Sequence, residues 1–414
     1  MSKLLFQPCD ILLPKTEEYR KWSVIACDQF TSEPQYWENV RNEIGDNEST
    51  LNLILPEAYL SKDNSEKIHA IHNSMNQYLL EDFFQIIEKS FIYVERTLRN
   101  GSVRPGLIGV IDLEDYSYED GTQSKIRPTE KTVVERIPPR KMVRGNASLE
   151  LSHIILFYND KKDRLTEYLR NHKESFKKLY DFDLIMNGGY IRGWAVQKQY
   201  AEDIKELFYS YQESVESESL ENNLNSMVLA VGDGNHSLAT AKSCWEDLKK
   251  KLPQEQLNSH PARYAMVEIE NIYDESLQFE PIHRIVQKTN TAALIEFLQN
   301  TICCEGGYPI HWHHQNESGC LYLNIQDGEL PLAALQQALD KWLDNNPGEL
   351  DYIHGEQALK KLADKEKSIG FIMPDIDKNL FFSNIMNAGI LPRKTFSLGH
   401  AEEKRYYLET RKII

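Results

Sequence analysis

The alternation of apolar and polar positions along the chain predicts short strands and amphipathic helices. The apolar run from Met227 to Val231 predicts a buried strand, and residues 232–237 predict a tight polar turn. Five apolar residues then recur at helical spacing, which predicts a helix after the turn: Leu238, Ala241, Trp245, Leu248 and Leu252. Asn235 or Ser237 is predicted as its N-cap. A strand, a glycine turn and a helix start expose N–H groups that bind phosphates and carboxylates.

Elsewhere the pattern predicts a β-hairpin, with strands at 91–98 and 107–113 and a turn at 99–102. A long amphipathic helix is predicted over 64–90, a basic polar loop over 136–144, and a closing hairpin over 389–397 and 403–413. Strands and helices alternate without strict βαβ order. The predicted fold class is therefore α/β with a mixed sheet.

The length of 414 residues suits one large unit with lobes rather than a string of small domains. Residues 214–223 form an acidic, serine-rich run, which predicts a flexible connection. We therefore expect one unit over 1–414, with possible lobes at 1–213 and 224–414.

The balance of charge argues against polyanionic partners. Lys plus Arg number 47 and Asp plus Glu number 63, which gives a net charge of −16. Such a surface repels nucleic acid and anionic lipid, so neither is expected as a partner. No apolar run approaches the roughly 20 residues of a membrane span. The six cysteines lack any Cys-x-x-Cys pair, which predicts reduced thiols and a cytoplasmic protein.

The predicted turn also carries a carboxylate, Asp233, and an imidazole, His236. It is not a Walker loop, because no Gly-Lys-Ser/Thr follows, and it lacks the third glycine of a dinucleotide fingerprint. Two interpretations are open. The carboxylate and the imidazole form part of a ligand site, or they bond the backbone at an ordinary helix start.

Four motifs occur in a recognisable order: Arg127-Pro-Thr-Glu-Lys-Thr132, Asp233-Gly-Asn-His-Ser237, Pro281-Ile-His-Arg284 and Pro392-Arg-Lys-Thr395. With this order the chain resembles the bacterial and archaeal family catalogued as domain of unknown function 1015. That family is similar to the ParB and sulfiredoxin-like superfamily, which includes free serine kinases. The resemblance implies a ParB/sulfiredoxin-like core with added lobes.

The resemblance also implies site residues. Glu130 takes the position of the base that deprotonates the acceptor hydroxyl, and Asp233 and His236 are the other catalytic positions. Asp233 is the implied metal ligand, for Mg²⁺. The implied phosphate-binding residues are Gly234, Asn235, Ser237, Arg127, Arg284 and Lys394.

The sequence departs from the family signature, Asp-Gly-His-His-Arg, at two positions. Asn235 replaces the first histidine, and Ser237 replaces the arginine. The loss of a guanidinium removes a bidentate phosphate clamp. The donor is therefore left open among ATP, ADP and pyrophosphate.

The function that the resemblance implies is a phosphotransferase acting on the hydroxyl of a small molecule, with free L-serine as the first candidate. One alternative is a regulatory protein that binds a small molecule or phosphate without catalysis. Another is nucleic-acid binding, since ParB-type relatives act on DNA, but the net charge of −16 argues against it. The sequence does not indicate an oligomeric state.

Overall fold

The computed structural model describes residues 3–60, 63–151, 153–222, 224–325, 329–392 and 394–414. The helices in this part of the chain are α1 (Tyr19–Trp22), α2 (Pro34–Ile44), α3 (Ser65–Leu80), α4 (Ile137–Arg144), α5 (Arg164–His172), α6 (Lys198–Glu221), α7 (Asn235–Leu248), α8 (Thr291–Ile302), α9 (Pro331–Leu343), α10 (Glu356–Ala363) and α11 (Lys378–Ala388).

The strands are β1 (Phe6–Gln7), β2 (Cys9–Pro14), β3 (Val24–Ile25), β4 (Phe84–Ser90), β5 (Ile92–Thr97), β6 (Val103–Asp112), β7 (Ile126–Pro128), β8 (Leu149–Leu151), β9 (Ile155–Tyr158), β10 (Lys177–Asp183), β11 (Tyr190–Ala195), β12 (Leu229–Asp233), β13 (Tyr264–Asn271), β14 (Phe279–Gln287), β15 (Cys303–His314), β16 (Glu317–Leu323), β17 (Glu349–His354), β18 (Ile369–Ile372), β19 (Phe396–Leu398), β20 (Tyr406–Tyr407) and β21 (Thr410–Lys412).

The described residues divide into two compact units. Unit 1 comprises Met1–Pro128, Thr132–Leu277 and His400–Ile414, and unit 2 comprises Thr129–Lys131 and Gln278–Gly399. The lobes predicted at 1–213 and 224–414 do not coincide with these units. The long segment of unit 2 begins at Gln278, well after the predicted connection, and the chain returns to unit 1 for its last residues.

Unit 1 is organised on a sheet of nine strands among the described residues. Its order is β10-β11-β5-β6-β13-β9-β12-β7, with β1 beside β6. β12 is parallel to β7 and antiparallel to β9, and β13 is parallel to β9 and antiparallel to β6. The prediction of an α/β fold with a mixed sheet is therefore confirmed. The ParB/sulfiredoxin-like core stays a prediction.

Two smaller sheets complete the strands described in unit 1, in the orders β4-β2-β21-β8 and β20-β3. The predicted hairpin is confirmed, because β5 and β6 pair antiparallel from Thr97 and Val103 onward. Gly101 in its turn has φ of 83°, a left-handed conformation that glycine adopts without steric cost.

Helix α7 packs on the central sheet of unit 1 as its pattern predicts. Leu238, Ala241 and Trp245 are each at most 1% exposed and share one apolar cluster with Leu229 and Val231 of β12. Burial of a side chain of this size stabilises the fold by about 1.5–3 kcal/mol. This packing holds the start of α7 at the end of β12.

Unit 2 is built on an antiparallel sheet of six strands among the described residues, in the order β16-β15-β18-β14-β17 with β19 beside β14. The segment Thr129–Lys131 also belongs to this unit. The N–H of Leu391 donates to the carbonyl of Thr129 at 2.9 Å, and Glu130 and Leu391 form an isolated parallel bridge.

Several predictions of local structure are wrong. The acidic run over 214–223 is helical through Glu221, as the end of α6, because its Glu, Ser and Leu residues tolerate helix and Ser219 is buried. Asn223 lies outside the described residues. The predicted helix over 64–90 ends at Leu80 and continues as strand β4.

The stretch over 136–144 was predicted as a basic polar loop, but residues Ile137–Arg144 form helix α4. Pro138 and Pro139 lie in the first turn, where a helix has no need of their missing N–H groups. The predicted closing hairpin is also wrong, since β19 pairs with β14, whereas β20 and β21 pair with strands from the start of the chain and with β8. Arg393 of the last motif lies outside the described residues.

No helix in the described ranges combines the length and the apolar character that crossing a membrane requires.

Candidate functional site

The turn before α7 depends on two glycines. β12 ends at Asp233, and α7 follows directly after Gly234. A Cβ atom on Gly232 would lie 2.5 Å from the ring of Phe157, so a larger residue would displace the ring. Gly234 has φ of 80°, where an L-residue with a side chain is strained. The two glycines thus let the chain pass from the strand into the helix without a longer loop.

The helix begins without a side-chain cap. Its N-cap is Gly234, so the prediction of Asn235 or Ser237 as N-cap is wrong, and both residues lie in the first turn instead. The first N–H groups of any helix have no carbonyl partner within that helix. The N-cap residue here gives no side-chain cap, and the positive end of the helix dipole favours an anion at this point.

Two side-chain oxygens beside this turn lack a hydrogen-bond donor among the described residues. They are Oδ2 of Asp233 and Oδ1 of Asn235, and both atoms are shielded from solvent. The ammonium of Lys404 lies 3.7 Å from Asp233 Oδ2, which is an ion pair but not a hydrogen bond. Buried polar atoms nearly always have a partner in a folded protein. The two oxygens therefore point to a ligand that carries a donor or a cation.

His236 is fixed by the backbone. Its Nε2 accepts a hydrogen bond from the N–H of Val133 at 3.2 Å, which places the proton of the neutral ring on Nδ1. The carbonyl of His236 accepts a hydrogen bond from the Thr240 hydroxyl at 2.7 Å. The predicted catalytic histidine is therefore oriented at the start of α7.

A second polar cluster in unit 1 begins at Ser237. Its hydroxyl lies 3.3 Å from Nε2 of His153, and the same nitrogen lies 3.8 Å from Oδ2 of Asp28. In a catalytic triad the hydroxyl and the carboxylate contact opposite ring nitrogens, so this cluster is not such a triad. The His153 ring is buried and meets the Tyr407 ring edge to face, with centroids 5.2 Å apart.

Asp28 is held in its ionised form by this cluster. Burial raises the pKa of its carboxyl, but the net shift is downward because of His153 and a hydrogen bond from the Gln29 amide. The charges of Arg140 and Lys404 add to this lowering of the pKa. Lys404 thus faces both Asp233 and Asp28 and supplies positive charge near the start of α7.

Arg127 is a predicted phosphate ligand whose guanidinium bonds the backbone. Its Nε donates to the carbonyl of Ser124 at 2.8 Å, and its Nη2 donates to the carbonyls of Asn225 and Ser226 at 3.0 and 3.3 Å. These bonds join β7 to the segment before β12. The role of Arg127 in phosphate binding stays a prediction.

The remaining predicted residues belong to unit 2. Arg284 is fully buried, and its Nη1 donates to the carbonyl of Lys394 at 2.7 Å. Burial lowers the pKa of Arg284 to about 10, against the opposing effects of Tyr352 and Glu130. Unit 2 therefore brings Glu130, Arg284 and the backbone of Lys394 together, and their catalytic and phosphate-binding roles stay predictions.

The residues at the α7 start suit one kind of metal site. No cluster of three or more His, Cys, Asp or Glu side chains able to hold a metal occurs in the described part of the chain. Mg²⁺ bound with a phosphate compound needs only one or two carboxylates, because phosphate oxygens and water supply its other ligands. Asp233 Oδ2 and Asn235 Oδ1 are hard oxygen donors of this kind. They fit Mg²⁺ carried by a phosphate compound, not a cage of protein ligands.

Sequence reasoning missed three residues of this region: Asp28, His153 and Lys404. Each is a single residue at the edge of a predicted element, without a glycine turn or a motif beside it. They come together only through the tertiary fold of unit 1. The available signal was weak, namely a charged or polar residue directly next to a buried strand.

Comparison with solved structures gives remote likenesses. A free serine kinase variant in complex with AMP is 12% identical, with a TM-score of 0.38, over 73% of this chain and 90% of that one. A variant in complex with ADP is 10% identical, with a TM-score of 0.37 and the same coverage. A conserved hypothetical protein from Pyrococcus furiosus is 12% identical, with a TM-score of 0.34, over 72% of this chain and 90% of that one. At this level they do not indicate what the chain binds.

No curated protein sequence matches the chain. The family model described as "Protein of unknown function (DUF1015)" matches residues 7–375, which is most of the chain. The protein therefore belongs to the DUF1015 family.

Proposed function

We propose that the protein is a phosphotransferase that moves a phosphoryl group from a nucleotide or pyrophosphate donor to the hydroxyl of a small molecule. The donor phosphate binds at the start of α7, with Mg²⁺. The acceptor that the family resemblance implies is free L-serine.

The observation that carries this proposal is the pair of buried oxygens, Asp233 Oδ2 and Asn235 Oδ1, beside an uncapped helix start. The helix start favours an anion, whereas a carboxylate beside it repels one. A phosphate compound that carries a divalent cation satisfies both groups at once. A bare anion would leave the two oxygens without a partner, and a bare cation would leave the N–H groups of the first turn unused.

Each residue then has a separate task. The backbone N–H groups of Asn235 and Ser237 hold phosphate oxygens, and the ammonium of Lys404 adds positive charge. Asp233 and Asn235 would hold Mg²⁺, which neutralises part of the phosphate charge when bound. Phosphoryl transfer depends mainly on positioning and charge neutralisation, and these groups provide both.

The transfer itself exchanges one bond to phosphorus for another. The acceptor hydroxyl loses its proton, its oxygen bonds to the terminal phosphorus, and the bond from that phosphorus to the rest of the donor breaks. The products are a phosphate monoester and the shortened donor. The base predicted from the family resemblance is Glu130. Such a base contributes about 10²–10⁴-fold in rate.

The test is a donor and acceptor screen on the full-length protein. The protein is incubated with Mg²⁺, a panel of small alcohols that includes L-serine and, separately, ATP, ADP or pyrophosphate, and the phosphate monoester formed is measured by mass spectrometry. We expect the native protein to form product with one of the donors and the Asp233→Asn variant to form none. Consumption of every donor at the rate of the protein-free control would contradict the proposal.

A second function has one observation in its favour. Ser237 stands where the family signature has arginine, and the guanidiniums of Arg127 and Arg284 bond backbone carbonyls. A site with fewer free guanidiniums suits binding better than turnover, as in a regulatory protein that binds a small molecule or phosphate. Calorimetric binding of a donor with Mg²⁺, without product in the screen, would favour this function.

A further inference from the structure

A cavity of about 130 Å³ lies within unit 1, next to the start of α7. Most of its wall is apolar, including Leu53, Leu55, Met75, Val143, Ala147 and Leu149. A dry, apolar cavity of roughly 150 Å³ in another protein binds benzene. The volume here therefore suits a group of six to eight heavy atoms and excludes any macromolecule.

The charged groups in the cavity wall are already matched with one another. Arg140 forms an ion pair with Glu57. Arg144 Nη2 lies 2.7 Å from Glu150 Oε1 as an ion pair that is not aligned for a hydrogen bond, and Arg411 contacts the other oxygen of Glu150 at 2.7 Å. A ligand with a full charge would have to break one of these pairs, and a buried charge left unpaired is strongly destabilising.

Other polar groups of the wall are also engaged. The Thr240 hydroxyl donates to a carbonyl of its own helix, and the Tyr407 hydroxyl contacts Cys27. Ser237 and His153 differ from these, because their mutual contact of 3.3 Å is long for a hydrogen bond. A hydroxyl placed beside both can accept from the N–H of His153 Nε2 and donate to the Ser237 oxygen.

We infer that this cavity binds a neutral alcohol whose apolar body fills the aliphatic part and whose hydroxyl contacts His153 and Ser237. The inference rests on the proposed function in one respect: the alcohol is the acceptor of the phosphoryl group. It narrows the acceptor class, because free L-serine carries a carboxylate and an ammonium that find no unpaired charge in this wall.

The test begins with binding by the full-length protein in the absence of any donor. Benzyl alcohol, its near-isostere ethylbenzene, and L-serine are titrated separately and followed by calorimetry and NMR. We expect saturable binding of benzyl alcohol and no saturation with L-serine. Ala147→Phe fills the cavity and is expected to weaken the binding of benzyl alcohol about tenfold or more. Ala70→Phe, on the exposed face of α3, is expected to leave this affinity unchanged.

The role of the hydroxyl is tested by His153→Gln, with folding checked by the denaturation midpoint. Loss of one hydrogen bond should reduce the ratio of the affinities for benzyl alcohol and ethylbenzene by about 3- to 10-fold. If Ala147→Phe fails to fold, Val143→Phe provides the second filling variant. Equal binding of benzyl alcohol by the native protein and a folded filling variant would overturn the inference.

The two proposals fail in different ways. If benzyl alcohol binds in the cavity but no donor transfers phosphate to any acceptor, the proposed transfer is wrong and the cavity assignment stands. If L-serine is phosphorylated while benzyl alcohol neither binds nor reacts, the transfer stands and the acceptor class inferred here is wrong.

Discussion

Two oxygen atoms determine what the start of α7 can bind. Asp233 Oδ2 and Asn235 Oδ1 are buried beside the first turn and face no donor among the described residues. A site for an anion without a cation would have hydrogen-bond donors, rather than acceptors, at these two positions. Oxygen acceptors beside N–H donors instead suit a phosphate compound with its cation.

The role of Glu130 is a prediction from the family resemblance, and it is tested by Glu130→Gln. We expect this variant to keep the donor affinity and lose turnover by about 10²–10⁴-fold, because a neutral amide cannot accept the hydroxyl proton. Donor affinity is measured by calorimetry and turnover by product formation. The exposed Glu213→Gln on α6 is the control. Full turnover in Glu130→Gln would remove Glu130 from the mechanism.

The turn predicted from the sequence is made of residues that are close together along the chain. Asp233, Gly234 and His236 are adjacent along the chain, so the turn that contains them is visible as a local pattern. Asp28 and Lys404 are separated by most of the chain, and only the tertiary fold relates them to the turn. A local pattern contains no information on such pairs.

Among the secondary-structure elements, the connection from β12 to α7 is the most sensitive to change. Gly234→Ala places a side chain in the left-handed region at a cost of about 1–2 kcal/mol, with its Cβ 3.1 Å from Ile154. Gly101→Ala in the β5–β6 turn has the same conformational cost, with nothing within 4 Å. Urea unfolding should show similar losses for both variants. Only Gly234→Ala should weaken donor binding, and equal donor affinity in the two would argue against this turn as the site.

The ion pairs between α4, β8 and β21 make a pH-dependent contribution to stability. Burial by itself would raise the pKa of the Glu150 carboxyl. The positive charges of Arg144 and Arg411 have a larger effect in the opposite direction, so the net pKa lies below its normal value. The stabilisation is therefore present above the unfolded-state pKa of about 4.3 and is lost as pH falls through the folded-state pKa.

Glu150→Gln should accordingly cost about 3–5 kcal/mol near neutral pH, because it leaves buried arginines unpaired. The difference from the native protein should shrink below about pH 4. Urea unfolding across pH measures it, with the exposed Glu213→Gln as the control. A difference that is constant from neutral to acid pH would contradict the assigned pKa direction.

Elements with a regular hydrophobic periodicity were predicted well, whereas elements whose structure depends on tertiary contacts were not. β12 follows a buried run and begins two residues after its predicted start, whereas α7 follows a helical stripe and begins at Asn235, within the residues predicted as a turn. The stretch over 136–144 was predicted as a basic polar loop, although residues 137–144 form α4, whose first turn accepts the two prolines. The strand β4 was read as helix because its apolar residues continue the spacing of α3.

For the molecule as a whole, the division into units was not predictable from composition. The three residues Thr129–Lys131 belong to unit 2 although both flanking segments belong to unit 1. No change of composition marks these boundaries, since they depend on which strands pair. The acidic run that was taken for a connection is instead the end of α6.

The net charge of −16 bears on partners of the whole molecule. Polyanions bind through the release of counterions by clustered Lys and Arg, which an acidic surface disfavours. We expect no retention of the protein on heparin at low ionic strength, measured by column elution. Retention that declines with added salt would revive nucleic-acid binding as a function.

The central claim is that a phosphate compound binds at the start of α7 together with a divalent cation. Its most direct test is calorimetric titration of pyrophosphate into the native protein and into Asp233→Asn, with and without Mg²⁺. The exposed Asp247→Asn on the same helix is the control. We predict Mg²⁺-dependent binding that Asp233→Asn weakens on the order of 10- to 100-fold and Asp247→Asn leaves unchanged. Binding that is equally strong without Mg²⁺, or in Asp233→Asn, would contradict the claim.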